Sequence, residues 1–89
     1  MRAVITVIGK DTTGIIARIS DALWQHEINV MDITQSILSD LFVMVMLADI
    51  SKSKVDFPKL VQELTALGEE MGLKIHIMHE DVFNSMHRI

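Results

Sequence analysis

The stretch that decides the fold is Ala3-Val4-Ile5-Thr6-Val7-Ile8-Gly9-Lys10-Asp11-Thr12-Thr13-Gly14-Ile15-Ile16. Its first six residues form an apolar run typical of a strand, which we expect to break at Gly9. A polar loop leads to Gly14, after which apolar residues recur at helical spacing. Because the first amides of a helix are unpaired and partly positive, they favour a carboxylate or a phosphate. The opening of the chain therefore predicts a strand, a turn and a helix that offer a site to a small anionic ligand.

Composition limits the chain to a few classes of protein. Its 89 residues suffice for one domain, and 49% of them are hydrophobic, so the chain should fold. A domain this small is often stabilised by a partner subunit. There is no cysteine, which excludes disulfides, zinc–thiolate sites and cysteine nucleophiles. The formal charge of −4 argues against a nucleic-acid surface.

The sequence predicts neither a membrane span nor a leader. Its apolar runs fall short of the roughly 20 residues that cross a bilayer. Met1 and Arg2 lead directly into an alternating strand, so we expect no signal peptide. A cytoplasmic location is the resulting expectation.

Six elements follow from periodicity and turn residues, with no linker between them. Thr12 or Thr13 is the expected cap of the first helix, Asp56 that of the second, and Gly72 the expected end of the second helix. Ser39-Asp40 makes a tight hairpin turn. The predicted strands are Arg2 to Ile8, Asn29 to Leu38, Leu41 to Ala48 and Leu73 to Met78, and the predicted helices are Thr13 to His26 and Asp56 to Met71.

This order is βαββαβ, which predicts an α+β, ferredoxin-like sandwich. Right-handed crossovers and the central hairpin give a four-stranded antiparallel sheet with both helices on one face. The domain is expected to span residues 1–80. Residues 81–89 are expected to form a short C-terminal helical tail that packs on the domain or a partner, because Val82, Met86 and Ile89 recur at helical spacing.

The third strand is apolar on both faces, which is unusual for an antiparallel sheet with one open side. We expect a second subunit to cover part of that open side. The predicted interface residues, all on this strand, are Phe42, Met44, Val45 and Met46.

Two segments together resemble the ACT domain, a regulatory module that binds amino acids. Ile5-Thr6-Val7-Ile8-Gly9-Lys10-Asp11-Thr12-Thr13-Gly14-Ile15-Ile16-Ala17 is similar to the family's strand–loop–helix glycine signature. Glu27-Ile28-Asn29-Val30-Met31-Asp32-Ile33 is similar to its helix-to-strand segment. The closing residues 82–89 look like the tail of small stand-alone ACT proteins of bacteria and archaea. The resemblance covers nearly the whole chain.

The resemblance implies dimers or higher assemblies, with an effector bound at a subunit interface. Carried over to this chain, the implied ligand positions are Asp11, Thr12, Thr13, Gly14, Ile15 and Asn29. The amides of Ile15 and Ile16 suit a carboxylate, whereas the acceptor oxygens of Asp11 and Asn29 suit an ammonium group. Structural alternatives remain: Gly14 can serve only a tight turn, Asp11 an Asx-turn, and Asn29 the re-entry of the chain into the sheet.

Other functions have weaker support in the sequence. His76 and His79 lie three apart on one strand and point to opposite faces, so they cannot hold one ion together. A cluster of His79, Glu80, Asp81 and His87 would need the tail to fold back, and we expect these residues to be surface or interface polar groups. We expect no metal site and no cofactor. No nucleophile–base pair stands out, which favours a binding module over an enzyme. Two hypotheses remain. In one, an amino acid or similar zwitterion controls how a homo-oligomer meets an unknown target protein. In the other, the chain is a constitutive assembly module with a vestigial pocket.

Overall fold

A computed structural model describes residues 1–86 and confirms the predicted ferredoxin-like βαββαβ order. His87 and Ile89, which the sequence placed on the apolar side of the tail, lie outside the described residues. The helices are α1 (Ile15–Gln25), α2 (Phe57–Met71) and α3 (Glu80–Met86). The strands are β1 (Arg2–Lys10), β2 (Asn29–Leu38), β3 (Leu41–Asp49) and β4 (Leu73–His79).

The four strands form one antiparallel sheet in the order β2-β3-β1-β4. In the centre of the sheet, Ile5 of β1 lies between Met46 of β3 and Ile77 of β4. Residues that alternate along the strands point toward the helices and make the core, with Ile5, Val7, Met44 and Met46 fully buried. The two inner strands, β1 and β3, therefore carry the core, and β2 and β4 are the edges.

Strand β1 does not break at Gly9 as predicted but continues to Lys10. Gly9 pairs with Phe42 on one side and Leu73 on the other. A Cβ atom at Gly9 would lie 2.6 Å from Leu73 Cδ2 and 3.0 Å from the Gly72 carbonyl oxygen. The glycine therefore reflects a close approach of β4, not the end of the strand.

The two long helices begin differently. Asp56 caps α2 as predicted, since its carboxylate accepts a hydrogen bond from the Lys59 amide at 3.0 Å. The cap of α1 is Gly14, in place of the predicted Thr12 or Thr13, and no side-chain hydrogen bond supports it. The first turn of α1 is thus left open.

The structure corrects the predicted interface on β3. Phe42, Met44 and Met46 face the helices and are 4%, 0% and 0% exposed. Their side chains are already packed in the chain's own core, so they cannot present a surface to a partner. Val45, on the opposite face of the sheet, is 37% exposed and remains the one predicted interface residue available for contact.

The short helix α3 contacts β1 and β4 at one corner of the sheet. The Arg2 guanidinium pairs with the Glu80 carboxylate at 2.8 Å, which ties the start of α3 to the start of β1. Phe83 is half-buried, whereas Val82 and Met86 are exposed. Among residues 1–86, no helix is long and apolar enough to cross a membrane.

Candidate functional site

The loop between β1 and α1 is anchored to the β2–β3 hairpin. The Asp11 amide donates a hydrogen bond to the Asp40 carbonyl oxygen at 2.9 Å. Within residues 1–86, the Asp11 carboxylate accepts no hydrogen bond, so the Asx-turn alternative is not the conformation seen. The backbone of the loop is therefore held in place while its carboxylate stays free.

Gly14 gives the first turn of α1 its open character. Its φ of 85° lies in the left-handed region, and a Cβ atom there would have no neighbour within 4 Å. The Gly14 carbonyl accepts the first helical hydrogen bond, from the Arg18 amide at 3.0 Å. The amides of Ile15, Ile16 and Ala17, which precede Arg18 in the helix, are consequently available to an acceptor outside the helix.

An open cleft of about 280 Å³ lies between this helix start and the end of β2. It brings together Asp11, Thr12, Gly14, Ile15 and Ile16 of the predicted site. Thr13 does not line it. The cleft combines one free carboxylate, an uncapped helix start and an otherwise mostly apolar lining.

Asn29 lies elsewhere. It opens β2 opposite Asp49, and it lines a separate cleft of about 290 Å³ with Glu27, Asp49 and Lys52. Asp11 directly follows Lys10, which pairs with Leu41 at the start of β3, whereas Asn29 pairs with Asp49 at the end of β3. Leu41 and Asp49 are eight steps apart along the strand, or about 26 Å. One chain therefore does not bring Asp11 and Asn29 into a common site.

Sequence reasoning missed four residues of the cleft. One of them, Ala17, lies in the first turn of α1. The other three lie on the helix-facing side of the β2–β3 hairpin: Gln35, Ile37 and Phe42. The alternation of β2 and β3 carries a usable signal, since Ile37 pairs with Phe42 and Gln35 with Met44. The alternation does not predict that the hairpin turn packs against the loop after β1.

The carboxylate of Asp49 is held in a hydrogen-bond network with Ser51. The side chain and backbone of Ser51 donate hydrogen bonds to it at 2.5 and 2.9 Å, and they hold the pKa of Asp49 below its ordinary value of 3.8. The Ser51 hydroxyl in turn accepts a hydrogen bond from the N-terminal ammonium group at 2.8 Å. This network fixes the end of β3 and belongs to Asn29's end of the sheet.

The two histidines of β4, His76 and His79, lie on opposite faces of the sheet. His76 pairs with Thr6 on the open side of the sheet, whereas His79 faces the helices and stacks on Phe57 with ring centroids 4.0 Å apart. In the described part of the chain, no three His, Asp or Glu side chains are placed to hold a metal ion.

Known proteins agree with this architecture. The ACT domain family matches residues 2–78. A UPF0237 protein of Methanocaldococcus jannaschii is 51% identical over 88 residues, which cover 99% of this chain and 98% of that protein. The structure of an ACT domain protein from Streptococcus pneumoniae superposes with a TM-score of 0.82 at 37% identity, covering 98% of both chains. The regulatory subunit of aspartate kinase from Thermus thermophilus shares the fold over 86% of this chain and 50% of its own, with a TM-score of 0.65 at 24% identity.

The fold and these matches define an ACT domain, which suggests a small-ligand-binding regulatory module. The chain belongs to the ACT domain family, and its relatives include small UPF0237 proteins of similar length. Membership of this family suggests a regulatory role.

Proposed function

We propose that the chain binds a free amino acid in a site shared by two copies of itself, and that the ligand controls contact with a separate target protein. The cleft beside Asp11 and Gly14 is the observation that carries the proposal. Its two poles differ in sign: the uncapped amides of α1 suit a carboxylate, and the free Asp11 carboxylate suits an ammonium group. A zwitterion satisfies both poles, whereas phosphate would be repelled by Asp11.

The second copy supplies Asn29. Strand β2 is an edge strand, and antiparallel pairing of β2 with its own copy would generate a two-fold axis in the sheet. With the axis at Ile33, the start of β2 in one copy runs beside the end of β2 in the other. Because of the bulge between Val30 and Asp32, Asn29 is three ladder positions from Ile33, so it lies across from Ser36 and next to Ile37 of the other copy. Ile37 lines the cleft. The pairing therefore carries Asn29 from its remote end in one chain to the cleft of the next.

The two edges of the sheet differ in how they resist such pairing. Edge β4 is seven residues long and carries Lys74, a residue that discourages edge-to-edge contact. Edge β2 is ten residues long, contains no proline or lysine, and exposes Met31, Ile33 and Ile37. In the proposed register its one charge, Asp32, lies across from Thr34 and not from another Asp32. Strand β2 is thus the edge suited to a partner.

The size of the surface fits a stable dimer. The molecule is a slab of 35 × 35 × 20 Å, so one edge presents about 700 Å². Stable interfaces bury about 800 Å² on each partner. The edge of β2 and the adjacent side of α1 therefore offer close to the required area.

Regulation in trans is supported by a relative of the same fold. The Thermus thermophilus protein is a regulatory subunit of aspartate kinase, which places this fold in a chain that controls an enzyme. For the present chain, we propose an analogous allosteric role, in which ligand at the shared site alters the surface that the dimer shows to its target.

The proposal is tested by calorimetric titration with an amino-acid panel, with inorganic phosphate as the matched anion. At 100 times its dissociation constant, a ligand should add about 2.7 kcal/mol to the free energy of unfolding. We expect at least one amino acid to bind and phosphate not to bind. If no amino acid binds at millimolar concentration, the chain is instead a constitutive assembly module.

A further inference from the structure

The single tryptophan of the chain is the most exposed aromatic side chain of the described residues. Trp24 is 74% exposed near the end of α1 and belongs to no core cluster. An exposed tryptophan on a small domain is a strong candidate for an interaction anchor, because it buries a large area at low entropic cost. Within one chain, Trp24 lines a separate cleft with Gln25, Glu27 and Lys54, and it does not line the cleft beside Asp11.

The rotation of α1 fixes the direction in which Trp24 points. On one flank of the helix, Arg18 pairs with Glu70 at 2.8 Å and His26 contacts Glu63, so that flank faces α2. Positions 16, 20 and 24 lie on the opposite flank, since residues four apart share a helix side. Trp24 therefore projects from the side of α1 that adjoins the β2 edge.

In the two-fold arrangement described above, the α1 helices of the two copies run antiparallel. The last turn of one helix then lies beside the first turn of the other, because α1 spans only 11 residues. Ile16 and Ala17 of that first turn line the cleft. The partner's helix thus carries an indole toward the mouth of the ligand site.

We propose that Trp24 of each copy forms a wall of the ligand site of the other, and that the site selects amino acids with bulky apolar side chains. This inference rests on the proposed function. The cleft supports the selectivity, since Ile16, Ile37 and Phe42 line it and Asp11 is its one charged side chain. With Asp11 engaged by the ligand's ammonium group, a charged ligand side chain would have no partner among the lining residues.

The fluorescence of Trp24 can be used to follow whether its side chain is buried by the partner. The chain has one tryptophan and no tyrosine, so its intrinsic emission reports on Trp24. Dilution of the unliganded protein through its dissociation range should shift the emission to longer wavelength as the indole enters water. Leucine, phenylalanine and glycine are the probes for the ligand-dependent change, with binding followed in parallel by calorimetry.

Two variants and a mixed dimer test whether Trp24 contacts the ligand bound to the other copy. Trp24→Ala should weaken leucine and phenylalanine binding about tenfold or more relative to glycine, whereas Trp24→Phe should keep most of the preference for apolar side chains. Mixing Trp24→Ala chains with Asp11→Ala chains should restore tight leucine binding, because the mixed dimer has one site with both native residues.

Each outcome has a distinct meaning. If the wild-type chain binds no amino acid, both the proposed function and this inference fail. If amino acids bind but Trp24→Ala leaves the ratio of leucine to glycine affinity unchanged, the inference fails and the proposed function stands. A preference lost in Trp24→Ala but not restored by mixing would place Trp24 in its own chain's site and overturn the inference as well.

Discussion

Asp11 and Asn29 lie at opposite ends of one sheet, although both are positions where the family resemblance implies a ligand. Asp11 follows the end of β1 beside the hairpin turn, and Asn29 faces Asp49 at the far end of β3. The separation is about 26 Å along the strand, too far for one amino acid to bridge. The proposed function therefore requires a second copy, which would bring Asn29 to the end of the sheet where Asp11 lies.

The first prediction concerns which surface joins the copies. Ile33→Lys places a charge on the β2 edge, and Val45→Lys places the same charge on the open face of β3; the native residues are 39% and 37% exposed. We expect Ile33→Lys to give monomers by sedimentation velocity and Val45→Lys to remain dimeric, with both circular dichroism spectra unchanged. If Val45→Lys alone dissociates the dimer, the copies pack face to face through the open side of the sheet and not edge to edge.

The second prediction concerns the ammonium pole of the site. Asp11→Ala removes a free carboxylate from an anchored loop, so the free energy of unfolding should change by no more than about 0.5 kcal/mol. Amino-acid affinity should fall about tenfold to a hundredfold, the range for a lost charge-assisted hydrogen bond. Asp40→Ala removes an equal charge from the adjoining turn and is the matched control. Equal losses in both variants would mean that general electrostatics, and not contact with Asp11, holds the ligand.

The third prediction tests the corrected role of β3. Met44 is fully buried, so Met44→Ala should cost about 2–5 kcal/mol of unfolding free energy, measured by urea denaturation. At temperatures where it remains folded, Met44→Ala should dimerise with unchanged affinity, because the Met44 side chain faces the helices. If Met44→Ala has wild-type stability but dimerises more weakly, Met44 is an interface residue and the correction is wrong.

The fourth prediction concerns acid stability. Ser51 holds the pKa of Asp49 below 3.8, so the folded state favours the charged form. The resulting stabilisation is fully present above the unfolded pKa and is lost as pH falls through the folded value. Asp49→Asn should therefore melt below the wild type at about pH 6. The two melting temperatures should begin to approach each other below about pH 4 and should meet once the pH has fallen through the folded pKa of Asp49. A gap that does not change with pH would show that Asp49 acts without its charge.

The sequence predicted the element order, the sheet and the cap at Asp56 because these depend on local periodicity and capping chemistry. It misread Gly9, since the reason for that glycine is Leu73, 64 positions away in the chain. It also placed Met44 and Met46 at an interface. An apolar strand predicts a cover for both of its faces, but the alternation alone does not say which face meets the helices.

The candidate site was predicted in part for the same reason. The loop from Asp11 to Gly14 is contiguous, so its residues stay together in the structure. Asn29 was assigned to the same site by resemblance, and its distance from Asp11 follows only from the strand pairing. A site completed by a second chain leaves no local signal in the sequence of one.

Subunit mixing tests the two-chain site most directly. Asp11→Ala and Asn29→Ala homodimers each lack one native residue in both sites, so each should bind the amino-acid ligand weakly. A mixed dimer has one site with both substitutions and one with neither. After unfolding and refolding together in equal amounts, about a quarter of the sites should recover wild-type affinity by calorimetry. Recovery of that fraction is the result predicted for a site shared by two chains, and a mixture that binds no better than the separate variants would contradict it.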